Sequence, residues 1–149
     1  PTQSRRGLYP HWQRTFLPPS LLAFDAPARE ECTARRDRSN TPLQALTLLN
    51  DAVFMEAARH LGDEFAAAEG TDADRLTALF RRCLVRPPAT EELQPLQAFL
   101  TSQREHFRQH PQQAAKILGE ESPAEGADRA AWLLTARAIL NLDETITKD

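Results

Sequence analysis

The sequence has few residues that could build a covalent scaffold or a membrane anchor. Its 149 residues include two cysteines, which cannot form a disulfide-dense scaffold or a four-thiolate metal site. The longest apolar stretch, in 130–140, is broken by Thr135 and Arg137 and is too short to span a bilayer. We therefore expect a soluble domain with no membrane span, held together by an ordinary hydrophobic core.

Lysine is almost absent, and the excess of one charge sign is small. Sixteen of the eighteen basic residues are arginine, and only Lys116 and Lys148 are lysine. The formal net charge of −3 argues against a dedicated nucleic-acid binder, which usually carries a clear basic excess. With 41% apolar and 26% charged residues, the composition is that of a folded globular protein.

Charge and proline are unevenly distributed along the chain. Residues 1–38 carry seven arginines and four acidic residues, whereas 39–149 carry eleven basic and seventeen acidic residues. Six of the eleven prolines lie at or before Pro42. We therefore divide the chain into an irregular N-terminal arm, 1–40, and a helical body, 41–149, which together form one domain. Because it begins at Pro1 with no apolar leader, we expect a fragment or a processed product of a larger protein.

Apolar residues in the body recur at helical spacing, and start signals separate the runs. Those signals are capping residues or proline, at Thr41-Pro42, Asp51, Thr71, Thr90 and Pro111. A last helix carries Trp132 and ends near Asn141. The pattern predicts an all-α fold, an irregular helical bundle of about five or six helices with the Pro/Arg-rich arm packed over it.

The first two predicted helices have apolar faces that can be named. Leu43, Leu46 and Leu49 follow helical spacing in the first helix, which begins with a Thr-x-x-Gln capping box. The second helix is expected to bury residues at i, i+3, i+4, i+7 and i+11, namely Phe54, Ala57, Ala58, Leu61 and Phe65. Gly62 lies inside this helix, at a cost of about 1 kcal/mol relative to alanine.

The segment 24–51 holds the most concentrated charged and capping residues. Arg35, Arg36 and Arg38 lie just before a helix N-terminus, next to Asn40 and Thr41. Guanidinium groups beside free backbone N–H groups can bind a sulfate, a phosphate or a carboxylate. These five residues form a candidate anion-binding site.

An internal network in the same segment is the interpretation that we favour. A long irregular arm must satisfy its backbone polar groups, and ion pairs with carbonyls and carboxylates can fix it to the helices. The candidate network residues are Asp25, Arg29, Glu30, Gln44, Asn50 and Asp51. A nucleic-acid role for the arginines is disfavoured, because no aromatic platform lies among them.

Metal, redox and catalytic patterns are weak. His106 and His110 have the i, i+4 spacing of a ligand pair, but no third ligand is evident and His110 precedes Pro111, so we expect no metal site. Cys83 is expected in the core, and the sequence leaves open whether it pairs with Cys32. Nucleophile-elbow, zinc-protease and phosphate-loop motifs are absent, so we assign no catalytic residue and no cofactor to this chain.

Three groups of residues together resemble a known family. They are Arg5-Arg6-Gly7-Leu8-Tyr9, the run from Phe24-Asp25 through Arg35-Arg36 to Thr41–Leu46 and Leu49–Asp51, and the closing Asn141–Glu144, with Arg86-Pro87-Pro88 and Glu92 between them. As a set they resemble the last part of the planctomycete domain of unknown function named PSD-one. That domain is the C-terminal module of large secreted proteins that also carry a cytochrome-c-like domain.

The resemblance implies a cellular location more than an activity. It implies an exported protein, periplasmic or at the cell surface, with a link to sulfated-polysaccharide use. It carries over no catalytic residue, and the haem-binding motif belongs to another module. Pro10 and Cys83 depart from the family's usual pattern.

Three functional hypotheses follow. The first is a non-catalytic structural or interaction module that docks on upstream modules of its own polypeptide through the arm and exposed apolar residues. The second is a module that binds an anion or a sulfated glycan through the arginine-rich segment. The third is an accessory part of an enzyme or electron-transfer protein whose active site lies upstream.

Overall fold

Helices make up the described part of the chain. The computed structural model describes residues 19–27, 32, 34–35, 39–119 and 126–147. Within these ranges there are eight helices and no strand, which confirms the all-α prediction. They are α1 (Pro19–Ala23), α2 (Pro42–Asn50), α3 (Ala52–Ala67), α4 (Asp72–Leu84), α5 (Thr90–Gln109), α6 (Pro111–Leu118), α7 (Gly126–Leu140) and α8 (Asp143–Ile146). The short α1 and α8 were not predicted. None of the described helices is long and apolar enough to cross a membrane.

Most predicted helix starts are confirmed by side-chain caps. The side chains of Thr41, Asp51 and Thr71 each accept a backbone N–H from the first turn of the helix that follows. α5 differs, because Thr90 is already its first helical residue. There the carboxylate of Glu92 accepts the N–H of the N-cap residue Ala89, at 2.7 Å, and no side chain caps the first turn.

α7 is the central helix. It packs against α3, α5 and α6, and it buries its whole apolar face. Trp132 is fully buried there. The largest fully buried side chains come from four helices and include Phe80, Leu100, Phe107 and Ile139.

Charged side chains close the core over Trp132. Arg104, from α5, donates to Asp72 at the start of α4 and to Asp128 at the start of α7. The hydrogen bond from Arg104 is the largest influence that holds the pKa of Asp72 below its usual value. The guanidinium groups of Arg75 and Arg104 lie 4.9 and 6.0 Å from the centroid of the Trp132 ring. This cluster joins three helices at one edge of the core.

The inward face of α3 is turned slightly from the predicted one. Ala58, Gly62 and Phe65 are buried, whereas Ala57 is exposed. The reason lies at Gly62, where a Cβ would come within 2.7 Å of the backbone N and Cα atoms of Leu133. The glycine that lowers helix propensity therefore allows α3 and α7 to approach closely.

Replacing Gly62 tests this packing. We expect Gly62→Ala to destabilise the protein by about 2 kcal/mol, because the methyl group meets backbone atoms and the helices must separate. Chemical denaturation of the variant and of Glu56→Ala, an exposed position on the same helix, measures the effect. The control is expected to stay within about 0.5 kcal/mol of the wild type. A stabilised Gly62→Ala would show that helix propensity outweighs the close approach.

Candidate functional site

The end of the arm is attached to α2 by a small polar cluster. The Asp25 carboxylate accepts the Ser39 backbone N–H at 2.8 Å and the Ser39 hydroxyl at 2.7 Å. It also accepts the side-chain N–H of Gln44 at 3.2 Å. Asp25 has a φ of 55°, a left-handed conformation that aspartate tolerates better than most residues. Asp25, Ser39 and Gln44 are called the Asp25 cluster below.

Gln44 connects this cluster to the start of α2. Its side chain is only 2% exposed, and its Oε1 atom accepts the Thr41 N–H at 3.1 Å. In return, the Thr41 hydroxyl accepts the Gln44 N–H at 3.3 Å, which completes the predicted capping box. Both ends of the Gln44 amide are therefore hydrogen-bonded, so its burial leaves no polar atom without a partner.

The capping box also occupies the donors that an anion would use. The N–H groups of Thr41 and Gln44 are taken, and Pro42 has none. Leu43 has the one N–H in the first turn of α2 for which the described residues offer no partner. An anion at this point would therefore depend on arginine side chains for most of its contacts.

The predicted anion-binding residues are brought together only in part. Arg35 is exposed, whereas Arg36 and Arg38 lie outside the described residues. Asn40 does not face the start of α2, because its side-chain N–H donates to Asp143 at 2.9 Å. The anion site stays a prediction that rests on the three arginines.

The predicted network residues divide into three groups. Asp25 and Gln44 meet in the Asp25 cluster, whereas Arg29 and Glu30 lie outside the described residues. Among the described residues, Asn50 and Asp51 form no hydrogen bond to the Asp25 cluster. Each bonds instead to a backbone group close to it in the sequence. Asn50 donates to the Leu46 carbonyl at 2.9 Å, and Asp51 accepts the Val53 N–H at 2.8 Å as the cap of α3.

The closing segment of the chain contacts both the arm and the residues after α4. The polar contacts that join the arm, α2 and this segment are called the junction below, and they involve Asp25, Ser39, Asn40, Gln44, Arg86, Glu92, Arg137, Asp143 and Glu144. Asp143 accepts from Asn40, and Glu144 accepts from Arg86 at 2.5 and 2.7 Å. Arg86 also donates to both carboxylate oxygens of Glu92, at 2.7 and 2.8 Å. One guanidinium therefore joins the starts of α5 and α8, while Asp143 reaches the arm.

These contacts lower the pKa values of the Glu92 and Glu144 carboxyl groups. The hydrogen bond from Arg86, assisted by the N–H of Ala89, lowers the pKa of Glu92 to about 2. The hydrogen bond from Arg86 also holds the pKa of Glu144 below its usual value. Both carboxyl groups are thus favoured in their charged form, as expected for partners of arginine.

The C-terminal end of α2 is held by α7. The Arg137 side chain donates to the backbone carbonyl of Leu49, in the last turn of α2. A carbonyl in that turn has no partner within its own helix, so a guanidinium from another helix satisfies it. α2 is therefore fixed at both ends by polar contacts, and its N-terminal half is fixed by a buried glutamine.

The outward face of α2 carries leucines, contrary to the sequence-based interpretation. Leu43 and Leu46 are 61% and 55% exposed, and the buried residues of α2 are Gln44 and Leu48. Leu22, on the adjoining α1, is 63% exposed. Neither helix contains a charged residue. Leu22, Leu43 and Leu46 are called the leucine surface below.

The histidine pair makes contacts within its own stretch of chain, and the two cysteines do not pair with each other. The His106 and His110 rings stack with centroids 4.5 Å apart, and Gln113 lies 3.0 Å from the Nε2 atom of His106. Across the described ranges, no three His, Cys, Asp or Glu side chains converge as metal ligands would. Cys32 and Cys83 are both free thiols, and burial raises the pKa of Cys83.

Several residues of the junction had no role in the sequence-based site. Ser39, Asp143 and Arg137 belong to none of the motifs that predict a network, because their partners are distant in the sequence. Arg86, Glu92 and Glu144 appear in the strings that carry the family resemblance. Their joint membership of the strings that carry the family resemblance is the sequence signal that pointed to them.

Removing the Gln44 side chain tests the Asp25 cluster. We expect Gln44→Ala to cost about 2 kcal/mol of stability, since it leaves Asp25 and the cap with fewer partners in a partly buried place. The matched variant Asn50→Ala removes only an exposed local contact and is expected to change stability by less than about 0.5 kcal/mol. Urea unfolding measures both. Equal effects would mean that the cluster adds nothing to stability.

The Arg86 contacts predict a dependence of stability on pH. Because the pKa values of Glu92 and Glu144 are lowered on folding, their stabilising effect is present above the ordinary pKa of 4.5 and is lost as pH falls toward 2. We therefore expect the difference in stability between wild type and Arg86→Met to be largest above pH 4.5 and to shrink below it. Arg108→Met, at a looser exposed contact with Glu105, serves as the control. A pH-independent difference would refute this assignment.

Comparison with known proteins identifies the family. Neither the curated proteins nor the solved structures contain a significant match to this chain. The family model described as PSD1, a protein of unknown function (DUF1553), matches residues 1–100. This match covers two of the three groups of residues that suggested the family, together with Arg86 and Glu92. The chain therefore belongs to the PSD1 family of proteins of unknown function.

Proposed function

We propose that this chain is a non-catalytic structural and interaction module that docks through its leucine surface. The observation that supports this most is the exposure of Leu22, Leu43 and Leu46, each more than half accessible. Burying the exposed part of such a side chain contributes about 1 kcal/mol or more. Exposed leucines on two short helices that contact each other are typical of a surface that a partner covers.

The fixed position of α2 supports this role. The Asp25 cluster and the capping box hold its start, and Arg137 binds a carbonyl in its last turn. A surface that is already ordered loses little conformational entropy when it binds. The polar residues of the junction thus hold the leucines in place.

We propose other modules of the same polypeptide as the partner. α1 and α2 contain no charged residue, so they offer no electrostatic steering to a separate protein. A partner in the same polypeptide needs no steering, because the linker supplies a high effective concentration. The resemblance to a C-terminal module, drawn from the sequence, also supports this choice.

Binding of an anion or a sulfated glycan is the alternative proposal. The exposure of Arg35, a residue of the arm, favours it. The occupied donors of Thr41, Gln44 and Asn40 count against it. Export of the polypeptide, and a role beside an upstream enzymatic or electron-transfer site, are further proposals that rest on the resemblance.

Replacing the exposed leucines tests the docking role in the full polypeptide. We expect Leu43→Gln with Leu46→Gln to speed amide hydrogen exchange across 42–50 by about tenfold, because a polar face no longer holds the neighbouring module. Glutamine keeps the helix propensity close to that of leucine. Exchange in α7 is expected to be unchanged.

A matched variant on α5 controls for surface mutation. Ala98→Gln alters an exposed position away from the leucine surface and is expected to leave exchange in 42–50 as in the wild type. If the leucine variant also exchanges like the wild type, no module covers α2. The docking proposal would then be wrong.

A further inference from the structure

Val85 adopts a conformation that valine rarely takes. It caps the C-terminal end of α4 with φ 65° and ψ 4°, in the left-handed region. Glycine is the usual residue at such a position, and a β-branched side chain is strained there. Val85 is also 76% exposed, more than any other large hydrophobic residue in the described ranges. An apolar side chain is therefore held in water at a strained position.

Two unpaired arginines share the same face of α4. Ala78, Arg81, Arg82 and Val85 are spaced i, i+3, i+4 and i+7, and all four are exposed. Arg81 and Arg82 have no ion-pair or hydrogen-bond partner among the described side chains, unlike Arg75, Arg86 and Arg104. These four residues are called the α4 surface below. It is basic, although residues 39–149 are acidic as a whole.

We propose that the α4 surface binds an acidic protein segment that places carboxylates against Arg81 and Arg82 and an apolar side chain against Val85. Guanidinium groups pair well with carboxylates, and their positive charge would select an acidic partner. The exposed valine selects a partner that also brings an apolar group. A sulfated polymer fits less well, because it would meet only two arginines and would leave Val85 in water.

This proposal is independent of the leucine surface. The two surfaces lie on different helices, and the leucine surface carries no charge. One surface can therefore fail its test while the other passes.

A peptide titration tests the proposal. The probe is an acetylated octapeptide of glutamate with two leucines, added to the isotope-labelled 149-residue chain while amide chemical shifts are followed. We expect shifts centred on 78–86, with affinity that falls as ionic strength rises. Arg81→Glu with Arg82→Glu is expected to weaken binding by about tenfold or more. Arg108→Glu, an exposed arginine on α5, is expected to bind as the wild type does.

Val85→Gly separates binding from folding. Glycine relieves the left-handed strain, so we expect the midpoint of thermal unfolding to rise by about 2–4 °C. At the same time, affinity for the peptide is expected to fall by about threefold or more, because the apolar contact is lost. A stable variant with weaker binding cannot be explained by unfolding.

Four results of the peptide titrations would each overturn the proposal. They are no chemical-shift change at millimolar peptide, changes centred outside 78–86, unchanged affinity in Val85→Gly, and equal binding of a lysine–leucine peptide. Dextran sulfate, titrated in parallel, provides the remaining comparison. If it binds at 78–86 more tightly than the peptide and independently of Val85, the surface recognises a polyanion and the proposal is wrong.

Discussion

The amide of Gln44 is buried, and the contacts that fix the start of α2 depend on it. A buried amide has to satisfy both its oxygen and its nitrogen, or the protein loses stability. Here the oxygen accepts from the Thr41 backbone, and the nitrogen donates to Asp25 and to Ser39. One side chain therefore starts a helix and attaches the arm to it.

Further polar contacts extend the junction beyond Gln44. Because Gln44 faces inward with Leu48, Leu43 and Leu46 face outward. Because the segment 39–41 is held against α2, Asn40 is in position to meet Asp143 from the closing segment. Glu144, next to Asp143, then pairs with Arg86 at the end of α4. Polar contacts between distant parts of the sequence thus present an apolar surface to the outside.

Short-range sequence patterns predicted much of the fold, but they could not predict contacts between residues that are distant in the sequence. Thr41, Asp51 and Thr71 act as caps because capping depends on residues two or three positions apart. The inward face of α2 was assigned wrongly, since this helix buries its polar Gln44 and leaves Leu43 and Leu46 exposed, the reverse of what apolar spacing predicts. Gly62 was recognised only as a cost, because its close approach to Leu133 depends on a helix 71 positions away in the sequence.

The candidate site shows the same division. Asp25 and Gln44 were predicted as network residues and do meet, whereas Asn50 and Asp51 bond to their own helices. The pairing of Arg86 with Glu144 joins residues 58 positions apart, and no spacing rule reaches that far. Only the resemblance to the PSD1 family had grouped these strings together, without saying that they touch.

The coupling free energy between Asp25 and Gln44 tests the central claim most directly. A double-mutant cycle of Asp25→Asn and Gln44→Ala, followed by urea unfolding, measures it. If the Asp25 cluster fixes α2, the coupling is expected to be about 1 kcal/mol or more. Additive effects, with a coupling below about 0.3 kcal/mol, would mean that the two residues act separately and that the junction does not depend on their contact.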